Sequence, residues 1–179
     1  IDAIPGKGTN VPLYILGSSL FGARLAAALG LPYSFASHFA PQALQDAVAL
    51  YRREFQPSEQ LAEPYVIAGV NALAAPTTEE AEAIFKQSQR RRVTQLLGKD
   101  RTYTDEEADL VLDSPAGQHI QMMGHYSGVG TPAEVRSYLD WFTEHAQADE
   151  LIVATHAPTL EQRLRSFTLL AEAAELIPA

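Results

Sequence analysis

Residues 11–30, VPLYILGSSLFGARLAAALG, constrain the fold more than any other stretch of the chain. The segment opens apolar and β-rich (Val11, Leu13, Tyr14, Ile15, Leu16) and breaks at Gly17-Ser18-Ser19. It then becomes an alanine- and leucine-rich run that ends at Gly30. A strand, a tight polar turn and a helix closed by a glycine make one βα unit. The turn sets two hydroxyls and small residues at a helix N-terminus. Free N–H groups and the positive end of the helix dipole suit an anion there, and phosphate is the commonest occupant. The same serines also read as ordinary helix caps.

Three more units follow. In PYSFASHF (32–39), Tyr33, Phe35, Ser37 and Phe39 share one face and Ser34, Ala36 and His38 the other, which predicts a second strand. Pro41 suits the first turn of a helix carrying the stripe Leu44, Ala47, Val48, Tyr51 and Phe55, and Pro57 stops it. YVIAGVNAL (65–73) is a third apolar run. Thr77 and Glu80 then read as a capping box opening a helix to about Leu97, with Ala81, Ile84, Phe85 and Ser88 inward. Residues 99–129 read as an elaborated return, with a short helix from the Thr104/Glu107 box through Val111. Within it, 113–128 is expected to be loop with a short strand or a turn of helix. Thr131, Pro132 and Glu134 make a strong helix start, read as a cap only, ahead of the stripe Val135, Tyr138, Leu139 and Phe142. ELIVAT (150–155) is a fourth strand whose unbroken apolar run predicts burial on both faces. Pro158 and Thr159 open the last helix, with Leu164, Phe167, Ala171 and Ala174 inward.

Residues 1–10 are polar and rich in Gly and Pro, an N-terminal loop or tail, which leaves 11–179 as one domain. The alternation predicts an α/β fold: four parallel strands near 11–17, 33–38, 65–72 and 150–155, adjacent in chain order and covered by helices. Four such units form either a small open sheet or half of an eight-stranded (β/α)8 barrel.

Charge narrows the partners. The net charge is −9, and nucleic acid or an anionic membrane would need a basic face. The one basic run, Arg90-Arg91-Arg92, lies inside a predicted helix and reads as a solvated face. There is no cysteine, hence no disulfide, thiolate metal site or cysteine nucleophile. The five histidines form no ligand spacing, so no metal site is expected. No apolar run spans a bilayer and no signal peptide is visible, which makes a cytoplasmic protein the expectation.

VPLYILGSSLFGARLAAALGLPYSFASHF resembles the middle of the luciferase-like flavin-dependent monooxygenases, the bacterial luciferase superfamily. GVGTPAEVRSYLDWF and ADELIVATHAPTLEQRLRSFTLLAEA resemble the same family's C-terminal end. The resemblance implies a (β/α)8 TIM barrel of about twice this length. The match begins at what would be the fifth strand, so the chain is expected to form the C-terminal half. It further implies reduced FMN, O2 and a small organic substrate, with coenzyme F420 as the alternative within the family. A flavin- or phosphate-binding protein without turnover is the alternative outside it. Gly17, Ser18, Ser19 and Gly22 would then hold the flavin phosphate. His38 and His156, at the C-terminal ends of their strands, would face flavin or substrate, or else serve as structural histidines. Asn71 would hydrogen-bond a ligand or its own loop, and His119, His125 and His145 are read as structural. A half barrel leaves open edges, so pairing with a second copy or with an N-terminal half is expected.

Overall fold

The computed structural model describes residues 4–176, so the first three residues of the expected tail lie outside the described residues. The elements in chain order are β1 (Ile15–Gly17), α1 (Leu20–Leu29), β2 (Tyr33–Phe35), α2 (Leu44–Glu54), β3 (Val66–Ala74) and α3 (Thr78–Leu97). There follow α4 (Asp105–Leu112), α5 (Pro115–Met123), β4 (Ser127–Gly130), α6 (Pro132–Ala146), β5 (Glu150–Ala154) and α7 (Leu160–Ala173). Every strand pairing is parallel. The four expected strands neighbour one another in chain order, as β1–β2–β3–β5.

The centre of the sheet is β3. Tyr33 N–H donates to Tyr65 O, Asn71 N–H to Tyr126 O and Ala75 N–H to Gly130 O. Backbone groups alternate along a strand, so the odd-numbered groups of β3 serve β2 at its foot and β4 at its head, on one edge. Asp149 N–H donates to Val66 O, and the even-numbered groups serve β5 on the other edge. Faces alternate in step. Val66, Ala68 and Val70 pack with Tyr33, Phe35 and the helix residues Ala23, Ala26, Leu44, Tyr51 and Phe142 in the main core. Gly69 and Asn71 are left to the concave face.

On that concave face Leu16 is 71% and Ile152 51% exposed. In a closed barrel such inward residues meet layer partners from other strands; here they face open space. For the same reason β5 is not buried on both faces as its apolar run predicts. It is an edge strand, paired with β3 alone among the described residues. The expected inward stripe of α7 is likewise displaced. Leu164 and Phe167 are exposed, while Ser166, Leu169 and Leu170 are buried against Ala72, Ala74 and Val135. The apolar stripe of the sequence therefore belongs to the open flank of α7.

Other boundaries move for local reasons. β1 begins at Ile15, because only Ile15–Gly17 finds a partner strand; Leu13 is instead tied to the Gln60 side chain through both its N–H and its carbonyl. β2 ends at Phe35, where the chain turns so that Ser37 Oγ donates to Gly69 O at 2.6 Å. α2 begins at Leu44, after a turn closed by Leu44 N–H on Pro41 O. The illegible return contains α4, α5 and β4. Its small core (Val93, Ala108, Leu112, Ile120) is too short in any one helix to show a period.

This arrangement orders the cost of two identical truncations. Phe142→Ala, in the fully buried core, should lower unfolding free energy by about 3–5 kcal/mol. Phe167→Ala, on the open flank of α7, should lower it by under about 1 kcal/mol. Urea unfolding measures both, and a similar loss at Phe167 would show that another segment covers that flank.

Candidate active site

The C-terminal ends of the strands carry the polar groups, as in barrel enzymes. At the end of β1, Ser18 and Ser19 are exposed. Ser19 occupies the N-cap position of α1 (φ −148°, ψ 165°), yet its side chain makes no capping hydrogen bond. The first backbone bond of α1 runs from Ala23 N–H to Ser19 O at 3.4 Å. The amides before it have no intrahelical acceptor. The Ser19 hydroxyl and the first N–H groups of α1 thus stand at the surface without a partner in the helix.

Small residues lie at this turn. A β-carbon on Gly17 would lie 3.5 Å from Gly22 Cα, and one on Gly22 would lie 3.4 Å from Tyr33 Cε2. Both distances are ordinary van der Waals contacts, and they place Gly22 and the Tyr33 ring beside Gly17, beneath the turn. Tyr33 Oη donates to Ser19 O at 3.0 Å, and Ala36 N–H donates to Gly17 O at 2.9 Å. The loop after β2 is thereby laid alongside the serine turn.

His38 sits three residues past β2, half-buried, with its ring over Gly69; a β-carbon there would collide with His38 Nδ1. That nitrogen is buried without a hydrogen-bond partner, as are Asn71 Oδ1 and Thr155 Oγ1. Asn71 Nδ2 donates to His38 O at 2.8 Å and reaches Tyr126 O at 3.3 Å. It thus fastens the loops after β2 and before β4 to β3. His156 follows β5 at the mouth of the same region. Burial, and then the charge of Arg92, hold both rings below the ordinary value; His38 adds to the effect on His156.

The structure therefore gathers His38, His156, Asn71 and Arg92 at one end of the rim. It leaves Ser18-Ser19 at the other, three strand spacings from His156, about 15 Å. The basic run is not a solvated face. Arg90 pairs with Asp105 and Asp109 of α4, Arg91 donates to Pro158 O, and Arg92 turns half-buried into the site. A signal for Arg92 existed: Ala81, Ile84, Ser88 and Arg92 continue one helical stripe, and the charge alone argued against extending it. The role of Gly69 under His38 had no sequence signal. His145 is bonded to Tyr126 Oη at 3.1 Å and stacked on Trp141.

Thr131 and Glu134 form a complete capping box, and Thr78 Oγ1 adds a bond to Glu134 Oε2 at 2.8 Å. The starts of α3 and α6 are joined there, with no donor left over in the box. Among the described residues no helix is long and apolar enough to cross a membrane.

Parallel βα units with an open concave face and polar strand ends define half of a (β/α)8 barrel. The chain belongs to the luciferase-like monooxygenase family, whose model matches residues 1–149. It is 37% identical over 171 residues to a luciferase-like monooxygenase of Escherichia coli K12, covering 94% of this chain and 51% of that protein. It is also 37% identical over 174 residues to the uncharacterized protein YvbT of Bacillus subtilis, covering 96% and 52%. Among solved structures, apo-MsnO8 superposes with a TM-score of 0.79 at 31% identity, over 98% of this chain and 55% of that one. The chain thus spans about half the length of the relatives it matches.

The lowered pKa of both histidines has a sign. The folded state favours the neutral rings, so on acidification the unfolded chain takes up protons first. The stability they contribute is full above the ordinary value of 6.5 and is lost as pH falls below it. Denaturant midpoints should therefore drop as pH falls below 6.5, and drop less in a His38→Gln/His156→Gln double variant. Equal slopes would show that neither ring is perturbed.

Proposed function

We propose that the chain supplies the flavin-phosphate turn and part of the substrate rim of a monooxygenase that uses reduced FMN and O2 to oxidise a small organic substrate. One observation carries the reading: the serine turn at the end of β1 has hydroxyls and helix-start amides that cap nothing. These donors fit a dianionic phosphate in number and charge, and Gly17 lets the backbone approach closely. Ser18 and Ser19 donate to the phosphate oxygens, and Tyr33 holds the turn from below through Ser19 O. Bound reduced FMN would supply the electrons for O2 activation. His38 Nδ1 is closed off over Gly69, so His38 Nε2 and the ring of His156, kept neutral near pH 7 by their lowered pKa values, are the imidazole groups that would meet a substrate hydroxyl or carbonyl. α3 lines this end of the sheet with Ser88, Gln89 and Arg92. The edges that expose Leu16 and Ile152 are closed, on this reading, by a second copy or by an N-terminal half.

The test compares two cofactors that differ by the phosphate. A charged hydrogen bond is worth about 1.5–3 kcal/mol, so Ser18→Ala/Ser19→Ala should weaken FMN binding by at least about tenfold. Riboflavin binding should change little. Ser19 makes no cap bond, so the helix should keep its stability. Equal losses for both cofactors, or none, would refute the phosphate turn; F420 binding in place of FMN would move the protein to the alternative cofactor.

Closure of the open edges is separately measurable. Sedimentation should find this chain associated with a second copy or a complementary half, and a compact, stable monomer of 19.5 kDa would overturn that expectation.

A further inference from the structure

A second anion-binding arrangement lies at the opposite end of the rim from the serine turn. A cavity of about 150 Å³ opens between α3, the loop after β5 and the first turns of α7. That is roughly ten times the space a single water needs. Arg91, Arg92 and Gln95 line it from α3, Thr155 and His156 from the loop, and Arg163 from α7. No carboxylate lines it, in a chain whose acidic residues outnumber its basic ones by 22 to 13.

The cationic groups here are not spent elsewhere. Among the described residues Arg92 has no ion pair or hydrogen bond, and burial alone depresses its pKa. It nevertheless stays a cation. Thr155 Oγ1 is buried without a partner. Arg91 is held in place by Pro158 O and keeps its charge. A half-buried guanidinium with no counter-charge is costly, and a neighbouring acid would remove the cost. An entering oxyanion would do the same, and the forked donors of arginine fit such a group. Arg92 and His156 also line the narrow cleft that leads to Asn71, between β3, α3 and β4. A group held in the cavity is thus held beside His156, and about 15 Å from the serine turn.

We propose that this cavity is an oxyanion subsite for a carboxylate or sulfonate group of the substrate, with Arg92 and Arg163 as its charge partners and Thr155 as a hydroxyl donor. The assignment to substrate rests on the proposed flavin-dependent reading of the rim; the binding of an oxyanion does not.

The probes are methanesulfonate and inorganic sulfate, titrated into the purified protein and followed by the histidine ring protons in NMR spectra. Both should bind. Arg92→Gln and Arg163→Gln should each weaken binding at least about tenfold, the loss of one charged hydrogen bond. Arg165→Gln removes the same charge from the same helix outside the cavity and should leave binding unchanged. Arg163 is exposed on α7, so its variant keeps the test standing if Arg92→Gln does not fold. No binding, or equal losses in all three variants, overturns the subsite. FMN, but not riboflavin, displacing methanesulfonate would give the cavity to the cofactor phosphate and overturn the substrate assignment. Methanesulfonate binding with the expected pattern in a protein that binds no FMN would uphold the oxyanion subsite and refute the flavin reading instead.

Discussion

The structure depends on the hydrogen-bonding of β3 along both of its edges. All nine of its residues are buried, so each backbone N–H and C=O must find a partner inside the protein. Where neighbouring strands stop, side chains take over. Asp149 Oδ2 accepts from Val66 N–H at 2.7 Å and also from Arg52, and Tyr51 Oη accepts from Tyr65 N–H while donating to Leu31 O. At the other end Ser166 Oγ accepts from Ala74 N–H at 2.9 Å. These closures pin the register. A slip of one residue would turn Gly69 and Asn71 toward the helices and Val70 toward the concave face. The seat of the His38 ring is therefore a property of the strand, not of the loop that carries the histidine.

The return from β3 divides into two tasks. α6 packs on the outer face, against β3, α2 and α7, as a crossover helix does. α3, α4 and α5 have their own small core and stand at the C-terminal end of the sheet. Their attachment is electrostatic as well as apolar. Arg90 Nε donates to Asp109 Oδ1 at 2.7 Å, Lys86 lies 3.0 Å from the same carboxylate, and together they hold Asp109 well below the usual carboxylate range. With Arg90 turned to α4, the helical pitch turns Arg92 by about 200° to the other side, toward the histidines.

The fold was legible wherever one element buried one regular face. α2 and α6 show their stripes, Gly30 takes the left-handed conformation at the end of α1, and the boxes at Thr104 and Thr131 form as read. Legibility failed where burial was shared among short pieces, as in α5 and β4, or where an apolar surface is left exposed. Leu164 and Phe167 of α7 and Ile152 of β5 are of that second kind: their apolar pattern predicts burial, and among the described residues they are exposed. The serine turn and both histidines could be picked out because each follows a strand; Asn71 was read at the end of a strand that in fact runs on to Ala74. Arg92 continues the stripe of Ala81, Ile84 and Ser88, but a charge inside a helical run ordinarily faces water, and that outweighed the stripe.

Tyr33 has a consequence for how the rim responds to its surroundings. Its hydroxyl lies under the serine turn, donates to Ser19 O, and has its pKa pushed up to about 12 by burial. It stays protonated throughout the range in which a cell operates, so the support of the turn carries no titrating charge. The donors above it are hydroxyls and amides, which do not ionise there either. A phosphate held in this turn would therefore meet surroundings of constant charge. Any acid dependence of its binding would be the phosphate's own second ionisation, near pH 6. The opposite end of the rim, built from histidine and arginine, is the part whose charge the solution can set.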